Sequence, residues 1–444
     1  MTRGEPPAAE TACQGFPVTV PRGAQVVADI AQAMLGSPLP LGVRCWDGSA
    51  TTVEGAPTLV LRHRRALRRL AFAPGELGLA RAYVSGDLDI EGDVYAALSF
   101  PDALPARPDL RLDRRALTRL AGPLLRLGVL GLPPAPPPEE ARLSGMRHSL
   151  RRDRAAISHH YVVGNEFYAL LLGPSLVYSC AYFAEPEITL EQAQWAKLEL
   201  VCRKLGLRPG MRLLDVGCGW GSLALHAAAE HGVEVVAVTI SEEQARLARA
   251  RVAAAGLTRS VQVRLQDYRD VTDGPYDAIS SIGMAEHVGL AQLPAYAAGL
   301  HSLLRPGGRL LNHAIARGPA AGPDRPDRRS FLSRYVFPDG ELQPLATHIR
   351  VVEEAGFEVR DVEGLREHYA LTCRAWVNNL ENRWDEAVRL TTPGRARVWR
   401  LYLAGAALAF ERRRLGVNQV LAVKGQAVGH GRLPLRRPDW SDGL

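Results

Sequence analysis

An α/β chain built on a doubly wound sheet, preceded by a small α+β unit, is the architecture this sequence predicts. Three features point to it. Apolar strand candidates alternate with helical patterns between Met211 and Ile315, the pattern of a parallel sheet wrapped by helices. One of these strands runs directly into a glycine-rich turn, Asp215-Val216-Gly217-Cys218-Gly219-Trp220-Gly221. Ahead of this region stands Pro133–Pro138, too rich in proline for a helix or a central strand and read as a stiff linker.

Taken in order, residues 1–21 are rich in Pro and Ala and are expected to be disordered. Residues 22–132 form the small unit. Within it a helix is expected over Ala24–Leu35, strands over Val43–Trp46 and Thr58–Arg62, helices over Ala66–Ala71 and Leu77–Tyr83, and an extended piece over Asp87–Glu91. Arg107–Leu130 is a basic, Leu-rich helical stretch. The linker covers 133–145, and residues 146–444 form the larger unit. Its strands are expected at Met211–Val216, Val233–Ile240, Val261–Leu265, Tyr276–Ile282 and Arg309–Ile315. Helices lie between them at Ser222–Glu230, Glu242–Ala255 and Leu293–Leu304, and two longer ones follow at Trp376–Arg389 and Arg395–Arg414. Such a sheet binds ligands at the carboxyl ends of its strands.

Composition narrows the class. Apolar residues make up 47% of the 444, which excludes global disorder. No run approaches the roughly 18 apolar residues of a membrane span, and the start of the chain lacks a signal-peptide pattern. A cytoplasmic protein is expected. None of the six cysteines (Cys13, Cys45, Cys180, Cys202, Cys218, Cys373) forms a CxxC pair, so neither a zinc site nor disulfides are expected. The net charge of +7 favours an anionic partner, a nucleic acid or an anionic membrane. Arg62–Arg69 alone holds five arginines and one histidine. A solvated basic face and a membrane-docking face both fit it.

The glycine-rich turn is the strongest local motif. An acidic residue at a strand end, followed by Gly-Cys-Gly-x-Gly and at once by a helix, lets backbone approach a ligand at the helix N-terminus. It is not the dinucleotide spacing. It resembles motif I of class I S-adenosylmethionine methyltransferases, whose fold is a Rossmann-like doubly wound sheet. That resemblance assigns cofactor contacts to Asp215, Gly217, Cys218, Gly219 and Gly221. Thr239 ends the second strand, Gln244 is placed to reach the ribose or the methionine end, Asp267 to accept from the adenine amino group, and Tyr268 to cover the base.

Four further segments complete the pattern: His159–Tyr168, Tyr178–Phe183, Ser281–Gly289 and Tyr335–Leu342, with Glu367-His368-Tyr369-Ala370 downstream. With the glycine-rich turn they closely resemble the cyclopropane-fatty-acyl-phospholipid synthase family, including the mycolic acid cyclopropane synthases, over about Ser158 to Val423. The small N-terminal unit resembles that of the longer, phospholipid-modifying members. It is a candidate for membrane docking or for homodimer formation.

The resemblance implies the chemistry. A cis alkene in an acyl chain takes a methyl group, and the carbocation left behind closes to a cyclopropane by losing a proton. The base works in a greasy pocket, where an isolated carboxylate is costly, and the family uses a bound bicarbonate. By the resemblance the ion is held by Cys180, the Gly283 backbone, Glu286, His313 and Tyr369. Tyr178 and Ser179 match a cofactor-contacting pair. Tyr178, Phe183, Tyr335 and Trp376 are candidates for aromatic faces that steady the cation. His287 and His159 read as structural. One position departs from the family: Val162 stands where an acidic residue is usual, in the cap over the cofactor. A sibling reaction, in which the cation loses a different proton and yields a methylene or methyl branch, carries the same motifs. The substrate is expected to be an unsaturated phospholipid, met at the inner membrane face by a peripherally bound enzyme. A nucleic-acid methyltransferase would need a motif such as Asn-Pro-Pro-Tyr after the fourth strand. Gly283-Met284-Ala285-Glu286-His287 stands there instead. A non-catalytic lipid-binding relative would have lost Glu286 or the glycines, and both are present.

Overall fold

The structure, a computed structural model, describes residues 23–100, 122, 127–129, 131–141, 163–321, 330–338, 340–425 and 433–444. The expectations for residues 1–21, for most of Arg107–Leu130, and for His159 and Val162 lie outside the described residues.

The first unit is a helix over Gly23–Leu35 packed on a four-stranded sheet of β1 (Gly42–Cys45), β2 (Ala50–Thr51), β3 (Thr58–Leu61) and β4 (Leu88–Glu91), in the order β2-β1-β3-β4. The Asp47-Gly48 turn joins β1 to β2. The Asp47 carboxylate accepts from Gly23 N at 2.9 Å, so the turn also fastens the start of the helix. Ala24, Val43, Cys45, Leu61, Ala66, Ala82 and Leu88 form the core. The basic run is largely neutralised. Arg65 and Arg69 pair with the buried Asp87 at 3.1 and 2.8 Å, Arg62 pairs with Asp89 at 2.9 Å, and Arg68 Nε donates to Gly128 O. Most of these arginines therefore have partners within their own fold.

The second sheet has seven strands: β5 (Arg212–Val216), β6 (Glu234–Thr239), β7 (Val261–Leu265), β8 (Tyr276–Ile282), β9 (Leu304–Arg317), β10 (Phe357–Gly364) and β11 (Leu415–Lys424). Their order is β10-β11-β9-β8-β5-β6-β7. β5 to β9 are parallel, as expected. β11 joins β9 antiparallel and β10 joins β11 antiparallel. The sheet is therefore mixed, two strands wider than the sequence reading. β10, the edge strand, points Glu358 and Arg360 outward and Phe357 inward, and past a register shift between Val359 and Asp361 it turns Asp361 in and Val362 out. The strand order reverses between β5 and β8, so their carboxyl ends flank a crevice.

One expected helix is divided, and Val94–Ser99, Asn165–Leu172, Leu190–Leu205 and Leu345–Glu354 are helices beyond those expected. The stretch read as one helix over Trp376–Arg389 is two, Arg366–Asn382 and Trp384–Leu390, broken where Arg383 leaves helical backbone at φ −124°. Helices over Asn165–Leu172 and Leu190–Leu205 lie ahead of β5. Thr189 and Gln192 cap the second of these reciprocally.

The last long helix, Pro393–Glu411, is shared by both units. Trp399, Leu403, Ala404, Ala407 and Phe410 face the core of the larger unit. Val398 packs with Leu77, Ala80 and Val84 of the small unit and with Phe331 and Tyr335. Each large side chain buried in that seam is worth roughly 2 kcal/mol. Polar contacts seal it: Arg400 to Tyr83 Oη at 3.1 Å, Arg397 to Asp89 at 3.3 Å, and Arg81 to both oxygens of Glu140 at 2.8 Å. Pro133–Pro138 has no helix or strand, and Arg69 holds Ala135 O at 2.8 Å, tying its middle to the small unit.

Candidate active site

The glycine-rich turn leaves β5 at the crevice. Gly217 has φ +76°, and a Cβ there would lie 2.3 Å from Met284 Sδ. Only glycine fits. Gly219 also has positive φ, +54°, but a Cβ there would meet nothing within 4 Å. Its bare backbone faces open space, where a ligand can approach. Gly217 N and Cys218 N both donate to Val238 O at 3.0 Å, which fixes the turn against β6. Asp215 is buried. Ser280 Oγ donates to its Oδ1 at 2.7 Å, while Oδ2 has no partner. Burial raises its carboxyl to about 6, against the pull of Ser280 and Lys197. An orphaned buried acceptor beside an open cradle fits the polar end of an adenosyl cofactor.

The neighbouring strand ends are less open than expected. Thr239 Oγ1 donates to Gln244 Oε1 at 2.8 Å, and Gln244 is buried. The Gln244 carbonyl is thus engaged within the protein, and its amide nitrogen is the end left for a ligand. Asp267 departs further from expectation. Arg269 holds both its oxygens, at 2.8 and 2.7 Å, and Arg269 N donates to it at 3.0 Å. The carboxylate caps the turn Tyr268–Asp270 rather than standing free. The Tyr268 ring meets Tyr296 edge-on at 4.9 Å.

The candidate base pocket lies at the ends of β8 and β9. Ile282 and His313 are register partners, and Gly283 N donates to His313 O at 2.8 Å. The Gly283 N–H is spent on the sheet, so of its backbone the carbonyl is the group that remains. With φ +69°, Gly283 turns the chain into the short helix Ala285–Val288, which carries Glu286. Ile315 N donates to Glu286 Oε1 at 2.7 Å, and Oε2 has no partner. Burial pushes this carboxyl up to about 7, with the Ile315 N–H pulling the other way. His313 is 2% exposed, and neither ring nitrogen has a partner. Burial, reinforced by Lys197 and Lys204, lowers it to about 3, so it is a neutral imidazole.

Tyr369 stacks on Phe410 at 4.6 Å and meets Trp376 edge-on. Burial drives its hydroxyl far above the usual range, and the charges of Cys180 and Glu286 add to the rise. Cys180 is fully buried with its thiol likewise raised by burial. Among the described residues nothing accepts from its backbone N–H. Unpaired buried polar atoms are uncommon in folded proteins. Here Glu286 Oε2 and both nitrogens of His313 form such a group. A small oxyanion that both donates and accepts hydrogen bonds, such as bicarbonate, fits it.

Beside this pocket stands an aromatic wall. Tyr178 lies 5.4 Å from Trp376, 5.7 Å from Tyr168 and 6.0 Å from Trp399. Tyr335, expected to help line it, is elsewhere: it stacks on Phe331 and its hydroxyl donates to Glu140 at 3.3 Å, in the seam with the small unit. Phe183 is half-buried, and its backbone N–H donates to His368 Nδ1 at 3.1 Å.

One residue went unread in the sequence. Lys197, 2% exposed, donates from Nζ to Ser179 Oγ at 3.0 Å. Its charge acts on Cys180, Asp215 and His313. Burial lowers its ammonium to about 8. The signal was there: with Ala193, Leu200 and Val201 it falls at helical spacing on the apolar face of Leu190–Leu205.

A family model described as mycolic acid cyclopropane synthetase matches residues 148–420. A probable fatty acid methyltransferase of Mycobacterium tuberculosis is 45% identical over 90% of this chain and 95% of its own. A tuberculostearic acid methyltransferase of the same organism is 34% identical over 90% of this chain and 92% of its own. Among solved structures, the mycolic acid cyclopropane synthase CmaA1 complexed with SAH and CTAB is similar at a TM-score of 0.57 and 33% identity, covering 61% of this chain and 98% of that one.

Proposed function

Because the chain belongs to the mycolic acid cyclopropane synthetase family of S-adenosylmethionine-dependent methyltransferases, we propose that it builds a cyclopropane ring across the cis double bond of an unsaturated phospholipid acyl chain. The observation that carries the reading is the group of unpaired polar atoms on Glu286 and His313, buried beside an aromatic wall.

The cofactor, held by Ser179, Asp215, the 217–221 turn, Thr239 and Gln244, supplies an electrophilic methyl group, and bicarbonate, held by the base pocket, supplies the proton acceptor. The residues of this chain do the rest. Tyr178, Trp376 and Trp399 present π-faces toward the positive charge that develops on the acyl chain, and they offer it no strong nucleophile. Glu286, raised to about 7, is poised to share a proton with the oxyanion near neutral pH. Neutral His313 donates one hydrogen bond and the Tyr369 hydroxyl another. Cys180 contributes its backbone N–H, and the Gly283 carbonyl accepts. Lys197 holds Ser179 from behind. The dry wall excludes water that would trap the cation.

No described helix is long and apolar enough to cross a membrane. The acyl chain is therefore drawn from the bilayer surface by a peripherally bound enzyme. A second reading has a specific support. Two relatives that align with 90% of this chain, at 45% and 34% identity, are a probable fatty acid methyltransferase and a tuberculostearic acid methyltransferase. In that reading the same cation loses a different proton and yields a methylene or methyl branch.

Gas chromatography–mass spectrometry of fatty acid methyl esters separates the two, in a host that lacks its own cyclopropane synthase. Both products gain one CH2 over the alkene. A product that resists hydrogenation is the ring. A product that hydrogenates to a methyl branch selects the sibling reaction. Absence of any new lipid from cells holding folded protein counts against both.

A further inference from the structure

We propose that this chain carries a second site, a zinc site, formed by Glu199, Cys202, His226 and His231 at the far ends of two helices. Glu199 and Cys202 are on Leu190–Leu205, and the two histidines are on Ser222–His231. Nε2 of His226 lies 3.0 Å and Nε2 of His231 2.9 Å from the same oxygen, Glu199 Oε2. One ligand atom from each of Cys202, His226 and His231 lies within 4.8 Å of the others. Cys202 is fully buried, His226 and Glu199 nearly so, and His231 is half-buried.

Two imidazoles hydrogen-bonded to a carboxylate would by themselves be an ordinary polar cluster. Three features exceed that. Both rings aim the same nitrogen at one point. A thiol, that of Cys202, stands within 4.8 Å of a ring nitrogen of each histidine. The two ring nitrogens stand 3.0 and 2.9 Å from Glu199 Oε2, close to the spacing of about 3.3 Å that zinc–nitrogen distances at the tetrahedral angle set between ligand atoms. The donor set of one sulfur, two imidazoles and one carboxylate suits zinc. A thiolate and a carboxylate balance its two positive charges. The support usual behind a ligating carboxylate is present too, since Arg203 Nε holds the other Glu199 oxygen at 2.7 Å. Binding replaces the Cys202 S–H bond with a sulfur–zinc bond and releases one proton to solvent. Burial, with the charges of Glu199 and Asp215, holds that thiol well above its usual value, so the thiolate forms only with the metal.

The sequence conceals this set. No CxxC pair marks it, because the ligands stand three and five residues apart on separate helices. The site is also remote from methyl transfer in purpose. Leu190–Leu205 carries Lys197, and Ser222–His231 starts from the glycine-rich turn. A metal would pin the two helices that position these groups.

The test uses the full chain, stripped with chelator and titrated with cobalt(II). One equivalent should give the visible bands of a tetrahedral ion and a near-ultraviolet thiolate-to-cobalt band, and zinc(II) should displace both. Cys202→Ser should lose the thiolate band, and His231→Gln, at a half-buried helix end, should weaken binding at least tenfold. Zinc should raise the melting temperature of the wild type and not of His231→Gln. An octahedral spectrum, a thiolate band that survives in Cys202→Ser, or equal affinity in His231→Gln would each overturn the assignment.

Discussion

Replacing Glu286 with Gln should make the protein more stable and nearly inactive. Glu286 sits dry, with one oxygen bonded to Ile315 N and the other to nothing. Its carboxyl rises from 4.5 to about 7, and at ~1.4 kcal/mol for each pH unit the ionised form costs the ligand-free fold about 3 kcal/mol. The sign follows from proton counting. Between pH 4.5 and about 7 the native state keeps a proton that the unfolded chain has released. Wild-type stability therefore falls as pH rises through that window and levels off above it. Glutamine mimics the protonated acid and keeps the acceptor for Ile315 N. In carbonate-free buffer, denaturant unfolding should show Glu286→Gln ahead of wild type by about 3 kcal/mol at pH 8, shrinking below about 1 kcal/mol at pH 5. Turnover should drop by roughly 100-fold or more, with cofactor affinity by calorimetry unchanged. A difference that does not grow with pH would refute the dry-carboxylate argument. Lost cofactor affinity in a folded variant would refute the base assignment.

Other perturbations test the remaining parts. Lys197→Met removes the group that holds Ser179, so the KM for the cofactor should rise ~10-fold while kcat stays nearly constant, the loss expected for one charge-assisted hydrogen bond; steady-state kinetics decide. Gly217→Ala and Gly219→Ala should part company. The first collides with Met284 and should lose about 2 kcal/mol in denaturant unfolding. The second meets open space, so it should fold and lose cofactor binding instead. His313→Gln should lower turnover at least ~10-fold, and because burial holds His313 near 3, the wild-type imidazole should show no NMR titration between pH 5 and 8. Glu140→Ala strands Arg81 and should cost about 3 kcal/mol in global stability, read by thermal or chemical unfolding.

The parallel half of the large sheet was readable because each of its strands is an apolar run followed by helical spacing. β6, for example, is Glu-Val-Val-Ala-Val-Thr. The antiparallel half was not. β11 carries Asn418 and Gln419 inside its apolar run, and Gln419 is tolerated because the distant Lys204 donates to it at 2.7 Å. β10 is half charged, as suits an edge. The base pocket was legible only through family resemblance, since a glutamate and a histidine after apolar strands are individually unremarkable. The resemblance named Glu286, on the helix after β8, and His313, on β9, yet it overreached at Tyr335. An aromatic residue reads the same whether it faces a substrate or a neighbouring unit. The motif did not reveal that Arg269, two residues on, folds back onto Asp267. Lys197 was missed because a lysine in a helix is ordinarily solvated, and only its place among Ala193, Leu200 and Val201 betrays it.

The helix Pro393–Glu411 supplies Trp399 and Phe410 to the methyl-transfer unit with one face and seats the small N-terminal unit with the other. The wall behind the reacting chain is therefore a single helix thick, and its outer surface is not built for water. Val398, Phe331 and Tyr335 would be bare without the N-terminal unit, and Arg397 and Arg400 would lose Asp89 and Tyr83. Residues 23–100 are in this sense a lid bolted over the back of the catalytic chamber. Cutting them away would unroof the part of the enzyme that must stay driest.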